Sequence, residues 1–133
     1  MKDSTARWVK KAEGNFRSMK SLFALHDETT FDDVCYLSQQ CVEKLLKSIC
    51  IEQDVFFPHS HDLRKLLELL LPRYPTLASI ETELMELTRL GAEFRYPDDF
   101  ATPFEAQRAF ELCTLARGIL LELLGPVTGK LFP

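Results

Sequence analysis

The sequence predicts an all-α protein: an antiparallel up-and-down helical bundle of four long helices plus one short helix. Apolar residues recur at intervals of three and four in five segments, which is the spacing of amphipathic helices. The chain shows no strand-like alternation, and the connections between the segments are short, so consecutive helices are expected to pack as antiparallel neighbours. The prediction is a single domain over residues 1–126, followed by a short apolar tail over residues 127–133.

The first helix is predicted from about residue 4 to residue 26. Asp3 or Ser4 is its expected N-cap, since either side chain can accept a hydrogen bond from the first turn. Its apolar face is formed by Trp8, Ala12, Phe16, Met19 and Phe23.

The second helix is predicted from about residue 32 to residue 53. Asp32 and Asp33 suit its N-terminal end, where the helix dipole favours negative charge. Glu43 and Lys47 are four residues apart and are expected to pair on its outer face. Its apolar stripe is formed by Val34, Leu37, Cys41, Leu45 and Ile49.

The third helix is the short one, over about residues 61–71, with Ser60 as its expected cap. Pro72 and Pro75 end it, and the fourth helix follows over about residues 77–94. The inward residues of these two helices are Leu63, Leu66, Leu67, Leu70, Leu77, Ile80, Leu84, Leu87 and Leu90.

The fifth helix has the clearest start signal in the chain. Thr102 supplies a capping hydroxyl, Pro103 occupies the first helical position, and Glu105 stands three residues after the cap, which is the pattern of a capping box. Gly125 and the proline after it stop the helix. The apolar stripe between them contains Ala106, Ala109, Phe110, Cys113, Leu120 and Leu124.

Composition excludes several classes of protein. The 133 residues are 46% hydrophobic and carry a net charge of -4, which argues against a protein dominated by non-specific attraction to phosphate. The N-terminus lacks the apolar core of a signal peptide, and no apolar run approaches the ~18 residues of a membrane span. We therefore expect a cytoplasmic protein without membrane association. The four cysteines contain no CxxC pair and are expected to be buried free thiols rather than zinc ligands: Cys35, Cys41, Cys50 and Cys113.

The segment from Arg95 to Asp99 is a break between two helices that places an arginine beside a proline. The planar guanidinium of Arg95 is suited to bidentate contact with an anion, and the following helix N-terminus attracts the same kind of ligand. Tyr96 is expected to stack on a base or to donate its hydroxyl. The alternative interpretation is structural: Arg95 pairs with Asp98 or Asp99 and holds the turn.

Two further groups of polar residues are candidates for a site. His59 and His61 flank Ser60, but the predicted cap there divides them between loop and helix, so we expect no metal site and a polar role for His61 at an end of the bundle. Asp62 fits the first turn of the third helix. A polar face on the second helix is interpreted either as a contact for RNA or a partner, or as a solvated surface, and it carries Gln40, Glu43, Lys44 and Lys47.

These pieces together resemble a HEPN domain (higher eukaryotes and prokaryotes nucleotide-binding). The first helix contributes Trp8 with Ala12 and Glu13. Residues 36–47 are similar to the family pattern Q-A-x-E-K-x-L-K, residues 58–63 to P-x-x-H-D-L, and Arg95 precedes the last helix as in the family. The resemblance spans roughly residues 6–124, and the order and spacing of the motifs are more specific than any one of them.

The resemblance implies a small all-α bundle that usually dimerises. Many HEPN proteins are metal-independent ribonucleases, often toxins paired with a small nucleotidyltransferase antitoxin. The ribonuclease motif is an arginine followed, after four to six residues, by a histidine. Arg95 matches the arginine, but the three positions for the histidine are Phe100, Ala101 and Thr102.

The expected function is therefore binding of a nucleotide, an RNA or a partner nucleotidyltransferase by a homodimeric HEPN domain, with no cofactor and no full ribonuclease activity. By analogy with the family, the site is a polar pocket containing His61, Asp62 and Arg95, completed across the dimer, with Tyr96, Gln40, Lys44 and Lys47 as further contacts. Two alternatives stay open. One is a ribonuclease toxin in which Arg95 and His61 are catalytic, and the other is a structural adaptor without a ligand.

Overall fold

The computed structural model describes residues 1–94 and 96–125. It contains five α-helices, and the described residues include no strand, which confirms the prediction of an all-α helical bundle. The helices are α1 (Asp3–Ala24), α2 (Phe31–Glu52), α3 (Leu63–Leu70), α4 (Glu81–Glu93) and α5 (Pro103–Leu124), with short 3₁₀ segments at Glu28–Thr30 and Pro75–Ile80. Arg95 and the predicted tail over residues 127–133 lie outside the described residues.

The four longer helices run alternately up and down. The start of α1 meets the end of α2, where the backbone N–H of Lys2 donates to Glu52 Oε1 at 3.0 Å. The start of α5 instead lies beside the start of α2, since the N–H of Ala101 donates to Asp32 Oδ1 at 2.7 Å. Helices α2 and α5 therefore point the same way, and α2 packs against each of the other four helices. This central position of α2 explains why its polar residues become part of the interior.

The core is formed by the predicted apolar faces, and all four thiols lie within it as free cysteines, as predicted. Burial raises the pKa of Cys35 to about 12 and that of Cys50 to about 11, so both remain protonated at neutral pH. The largest fully buried side chains are Met19, Leu45, Leu46, Ile49, Leu63, Leu66, Leu67, Leu70, Leu77, Leu84, Leu87 and Leu90.

Two of the predicted helix starts are wrong. The N-cap of α1 is Lys2, not Asp3 or Ser4, because the Lys2 side chain is held by the end of α2 through Ile51 O and the carboxylate of Asp54. These tertiary contacts fix the helix start without a capping side chain.

The start of α3 also differs from the prediction. The helix begins at Leu63, where Asp62 is the cap and its Oδ1 accepts from the N–H of Arg64 at 3.0 Å. Ser60, the predicted cap, instead accepts from the N–H of Asp62 and tightens the preceding turn.

The prediction of four long helices is not confirmed in its detail. Helices α1, α2 and α5 each have 22 residues, but α4 has 13, because Pro75–Ile80 forms a 3₁₀ segment where the sequence predicted the first turn of α4. The capping box of α5 is confirmed: Thr102 Oγ1 accepts from the N–H of Glu105, and Glu105 Oε1 accepts from the N–H of Thr102. None of the helices described in the structure has the length and apolar character needed to cross a bilayer.

Candidate functional site

A buried carboxylate on α2 is the centre of a polar network. Glu43 Oε1 accepts from Gln39 Nε2 at 2.9 Å and contacts His61 Nδ1 at 3.0 Å, while Glu43 Oε2 accepts from Lys47 Nζ at 2.9 Å. The spacing of four residues places Gln39 one turn before Glu43 and Lys47 one turn after it. The predicted pairing of Glu43 with Lys47 therefore forms, but its predicted location on the outer face is wrong, because both side chains are buried.

The network keeps Glu43 ionised. Burial would by itself raise the pKa of Glu43, but the hydrogen bonds from Gln39, Lys47 and His61 together hold it below its ordinary value. The ammonium of Lys47 is also enclosed, with its Nζ 5.8 Å from the ring centroids of both Trp8 and Phe57. Lys47 thus serves as the inner counter-charge of the network.

His61 is the part of the network that reaches solvent. Its side chain is 70% exposed even though Nδ1 is anchored on Glu43, whose own side chain is 4% exposed. The amide of Gln39 also donates to the carbonyl oxygen of His61 at 3.0 Å, which fixes the backbone of the turn. Because an ionised carboxylate can only accept, Nδ1 carries the hydrogen, and Nε2 is the ring nitrogen that a ligand would meet.

A small cavity of about 180 Å³ lies beside the imidazole, between α2, the start of α3 and α4. This volume holds a phosphate or a single ring, and it is below the range of about 300 to 1,000 Å³ that whole small ligands occupy. Its lining consists of Gln39, His61, Asp62, Thr88, Gly91 and Ala92.

Gly91 permits the close approach of α4 to α2 at this cavity. A Cβ at Gly91 would lie 2.7 Å from Cγ of Gln39 and closer still to its Cβ, so any side chain there would push the helices apart. The sequence prediction missed Gly91. A glycine inside a helix costs about 1 kcal/mol relative to alanine and usually has a packing reason, which is the signal that marks Gly91.

The other predicted site residues lie in three different places. Asp62 caps α3 and lines the cavity, and Gln40 donates from Nε2 to Gln39 Oε1 at 2.9 Å, so both adjoin the network. Lys44 faces α1, where its Nζ donates to Asn15 Oδ1 at 2.6 Å. Tyr96 is exposed. The structure thus brings His61, Asp62 and Gln40 together and places Lys44 elsewhere, while Arg95 lies outside the described residues.

The three positions of the ribonuclease histidine have other roles. Phe100 is exposed. Ala101 is buried, and its backbone N–H donates a hydrogen bond to Asp32 Oδ1. The hydroxyl of Thr102 is used in the capping box. Over residues 1–94 and 96–125, no group of three or more potential ligand side chains is arranged to hold a metal ion.

The fold and the site define a class: a small helical bundle in which a carboxylate on the central helix anchors an exposed histidine from the following turn. The chain belongs to the HEPN domain family, whose sequence model matches residues 5–123. The predicted resemblance is confirmed, and HEPN domains are generally related to nucleotides or RNA. No curated protein and no solved structure matches the chain.

Proposed function

We propose that this HEPN domain binds an RNA or nucleotide at the cavity beside His61 and does not cleave it. The observation that carries the proposal is the 3.0 Å contact between His61 Nδ1 and Glu43 Oε1, which holds an exposed imidazole at the mouth of a cavity. Because the anchored ring is largely exposed, it is open to a ligand that enters the cavity.

The imidazole of His61 can bind a phosphate when the ring is protonated. Nδ1 stays on Glu43, and Nε2 then donates a charge-assisted hydrogen bond to a phosphate oxygen. The cavity has room for only one phosphate or ring, so the rest of the ligand would extend into solvent, as an oligonucleotide does. Arg95 and Tyr96 follow α4 in the sequence and are proposed as additional contacts to phosphate and base.

The absence of cleavage is proposed from the sequence of the ribonuclease motif. Phe100, Ala101 and Thr102 cannot transfer a proton near neutral pH as an imidazole does. The positively charged Arg95 can still polarise a phosphate, but binding does not require a second proton-transfer group.

A ribonuclease is the second candidate, and one contact favours it. A histidine anchored through Nδ1 by a carboxylate presents a neutral Nε2 that is suited to removing a proton, as in catalytic dyads. In a ribonuclease, His61 would take the proton from the ribose 2′-hydroxyl, whose oxygen would attack the adjacent phosphorus and displace the 5′-oxygen. Water would protonate that leaving oxygen, and Arg95 would hold the scissile phosphate.

One experiment separates these functions. A fluorescently labelled single-stranded RNA is titrated, in chelator and at mildly acidic pH, with the wild type, His61→Asn and the matched control His59→Asn, which alters an exposed histidine outside the cavity lining. We expect His61→Asn to weaken binding about tenfold, which corresponds to about 1.4 kcal/mol, and His59→Asn to bind like the wild type.

The wild type, His61→Asn, His59→Asn and Arg95→Ala are then incubated with the same RNA in chelator at neutral pH and examined on a denaturing gel. Intact RNA in every lane supports binding alone, whereas cleavage that is lost in His61→Asn or Arg95→Ala would establish the ribonuclease instead. If neither RNA nor nucleotides bind or raise the melting temperature, the structural adaptor becomes the better interpretation.

The partners are proposed on separate grounds. We propose a homodimer, supported by exposed aromatic side chains such as Phe56, Phe100 and Phe104, and pairing with a small nucleotidyltransferase antitoxin, supported by the resemblance described above. A cytoplasmic location is consistent with the four free thiols. Co-purification of a nucleotidyltransferase encoded beside this gene would test the pairing.

A further inference from the structure

The outer face of α1 carries a groove lined by positive charge. Its volume is about 570 Å³, and its lining consists of Arg7, Lys10, Lys11, Gly14, Asn15, Arg17 and Ser18. The chain as a whole has a net charge of -4, so the groove is a local cluster of positive charge on a protein that is negative overall.

The two acidic residues of α1 leave the middle of the groove positive. Asp3 stands four residues before Arg7, at the N-terminal end of the same face and outside the groove lining. Glu13 faces the interior, where its two carboxylate oxygens accept from Arg117 at 2.7 and 2.6 Å. The exposed cations Arg7, Lys10 and Lys11 therefore share a surface without an intervening carboxylate from their own helix.

A further cation from α2 stands at the edge of the groove. Asn15, one of the lining residues, accepts from Lys44 Nζ at 2.6 Å and so positions this ammonium beside α1. Burial lowers the pKa of Lys44; Glu43 opposes that effect, whereas repulsion from Lys11 and Lys47 adds to it. The positive charges are thus close enough to repel one another, and a bound anion would relieve that repulsion.

The shape of the charged surface favours a polyanion over a single ion. Positions 7, 10, 11, 14 and 17 lie on successive turns, and because an α-helix rises about 1.5 Å per residue, they extend over about 15 Å. The lining is made of charged, amide, hydroxyl and glycine residues. Such a surface matches a row of phosphates, and its lining offers bases no aromatic side chain on which to stack.

We infer that the α1 groove binds the sugar–phosphate backbone of an RNA strand, independently of base sequence. The choice of RNA as the occupant rests on the proposed function, and the groove has no lining residue in common with the His61 cavity. An acidic protein segment is the competing polyanion. It is disfavoured because protein interfaces bury apolar anchors at their centre, and the groove lining provides none.

The test measures how RNA affinity depends on salt. Lys10→Gln/Lys11→Gln removes two charges from the groove, and Lys20→Gln/Lys65→Gln removes two exposed charges outside its lining, so both variants change the net charge equally. A labelled polyuridine 20-mer is titrated at several salt concentrations. We expect the groove variant to bind about tenfold more weakly than the wild type. Each phosphate contact on a single strand contributes roughly 0.7 to the slope of log affinity against log salt, so the loss of two contacts should make that slope shallower by about 1.4. The control variant should stay close to the wild type.

Equal losses in the two double variants would overturn the inference, since they would reflect net charge alone. Polyglutamate that competes as well as polyuridine at equal charge would also overturn it, in favour of an acidic protein. All variants change exposed residues, and circular dichroism melting checks that they fold.

The variant His61→Asn separates the two proposals. If His61→Asn binds RNA like the wild type while the groove variant binds more weakly, the proposed His61 site is contradicted and the proposed groove is supported. If the groove variant binds like the wild type while His61→Asn binds more weakly, only the groove is contradicted.

Discussion

Glu43 is the residue on which the geometry of the candidate site depends. Its two oxygens hold an amide, an ammonium and an imidazole at 2.9 to 3.0 Å, so one buried carboxylate positions three side chains. A buried charge is tolerated only with such partners, and removing one member leaves another without compensation.

The substitution Glu43→Gln keeps the size of the side chain and removes its charge. We expect it to reduce the free energy of unfolding by about 2 to 3 kcal/mol, because the enclosed ammonium of Lys47 loses its counter-charge. Urea denaturation at neutral pH measures the change. The matched control is Glu93→Gln, which alters an exposed pair with Arg89 and should cost less than about 0.5 kcal/mol. Equal costs for the two variants would show that the buried network contributes nothing special.

The stability of the network should also depend on pH in a defined direction. The pKa of Glu43 is held below its ordinary value of 4.5, so its contribution to stability is fully present above that pH and is lost as the pH falls through the lowered value. As the pH falls below 4.5, we expect the free energy of unfolding of Glu43→Gln to decrease less than that of the wild type. Parallel curves of unfolding free energy against pH for the two proteins would contradict this.

At the scale of elements, the sequence predicted best what depends on neighbouring residues. The capping box of α5 involves only Thr102 and Glu105, and both of its hydrogen bonds form. The predicted starts of α1 and α3 were wrong. Contacts with the end of α2 determine where α1 begins, and the side chain of Asp62, rather than that of Ser60, caps α3. The outer-face assignment of Glu43 failed because a spacing of four residues shows which side chains are adjacent but not which side of α2 other helices will cover.

The contact between α2 and α4 gives a prediction about the cavity. Gly91→Ala should destabilise the protein by about 1 to 3 kcal/mol, since the added methyl group collides with Gln39 and forces the helices apart. The control is Gly118→Ala on α5, where an added Cβ meets no atom within 4 Å; a gain of about 0.5 to 1 kcal/mol is expected there from helix propensity. Thermal unfolding compares the two variants, and a neutral or stabilising Gly91→Ala would show that the helices can separate freely.

At the scale of the whole molecule, the order of motifs indicated the family, and the fold shows what two of them do. The pattern on α2 and the P-x-x-H-D-L turn meet where Glu43 contacts His61, although these two residues are 18 apart in the sequence. The charged groove of α1 was missed, because the prediction considered only the apolar stripe of α1. The helical spacing of Arg7, Lys10 and Lys11 was the signal that could have found it. The role assigned to Arg95 remains a sequence prediction.

The oligomeric state is a prediction about the complete surface. Phe56 is 88% exposed and Phe104 is 77% exposed, and most soluble oligomers are twofold. We expect a dimer in sedimentation experiments at tens of micromolar, and we expect Phe56→Ser/Phe104→Ser to shift it toward monomer. A wild-type monomer at that concentration would contradict the proposal.

The most direct test follows the ring nitrogens of His61 and His59 by ¹H–¹⁵N NMR while a single-stranded RNA oligonucleotide is added in chelator. Binding at the cavity predicts that the His61 signals move and saturate with the RNA, while those of His59, which lies outside the cavity lining, stay in place. RNA that binds and leaves the His61 signals unmoved, or that produces no change in either histidine at saturating concentration, would contradict the proposed site.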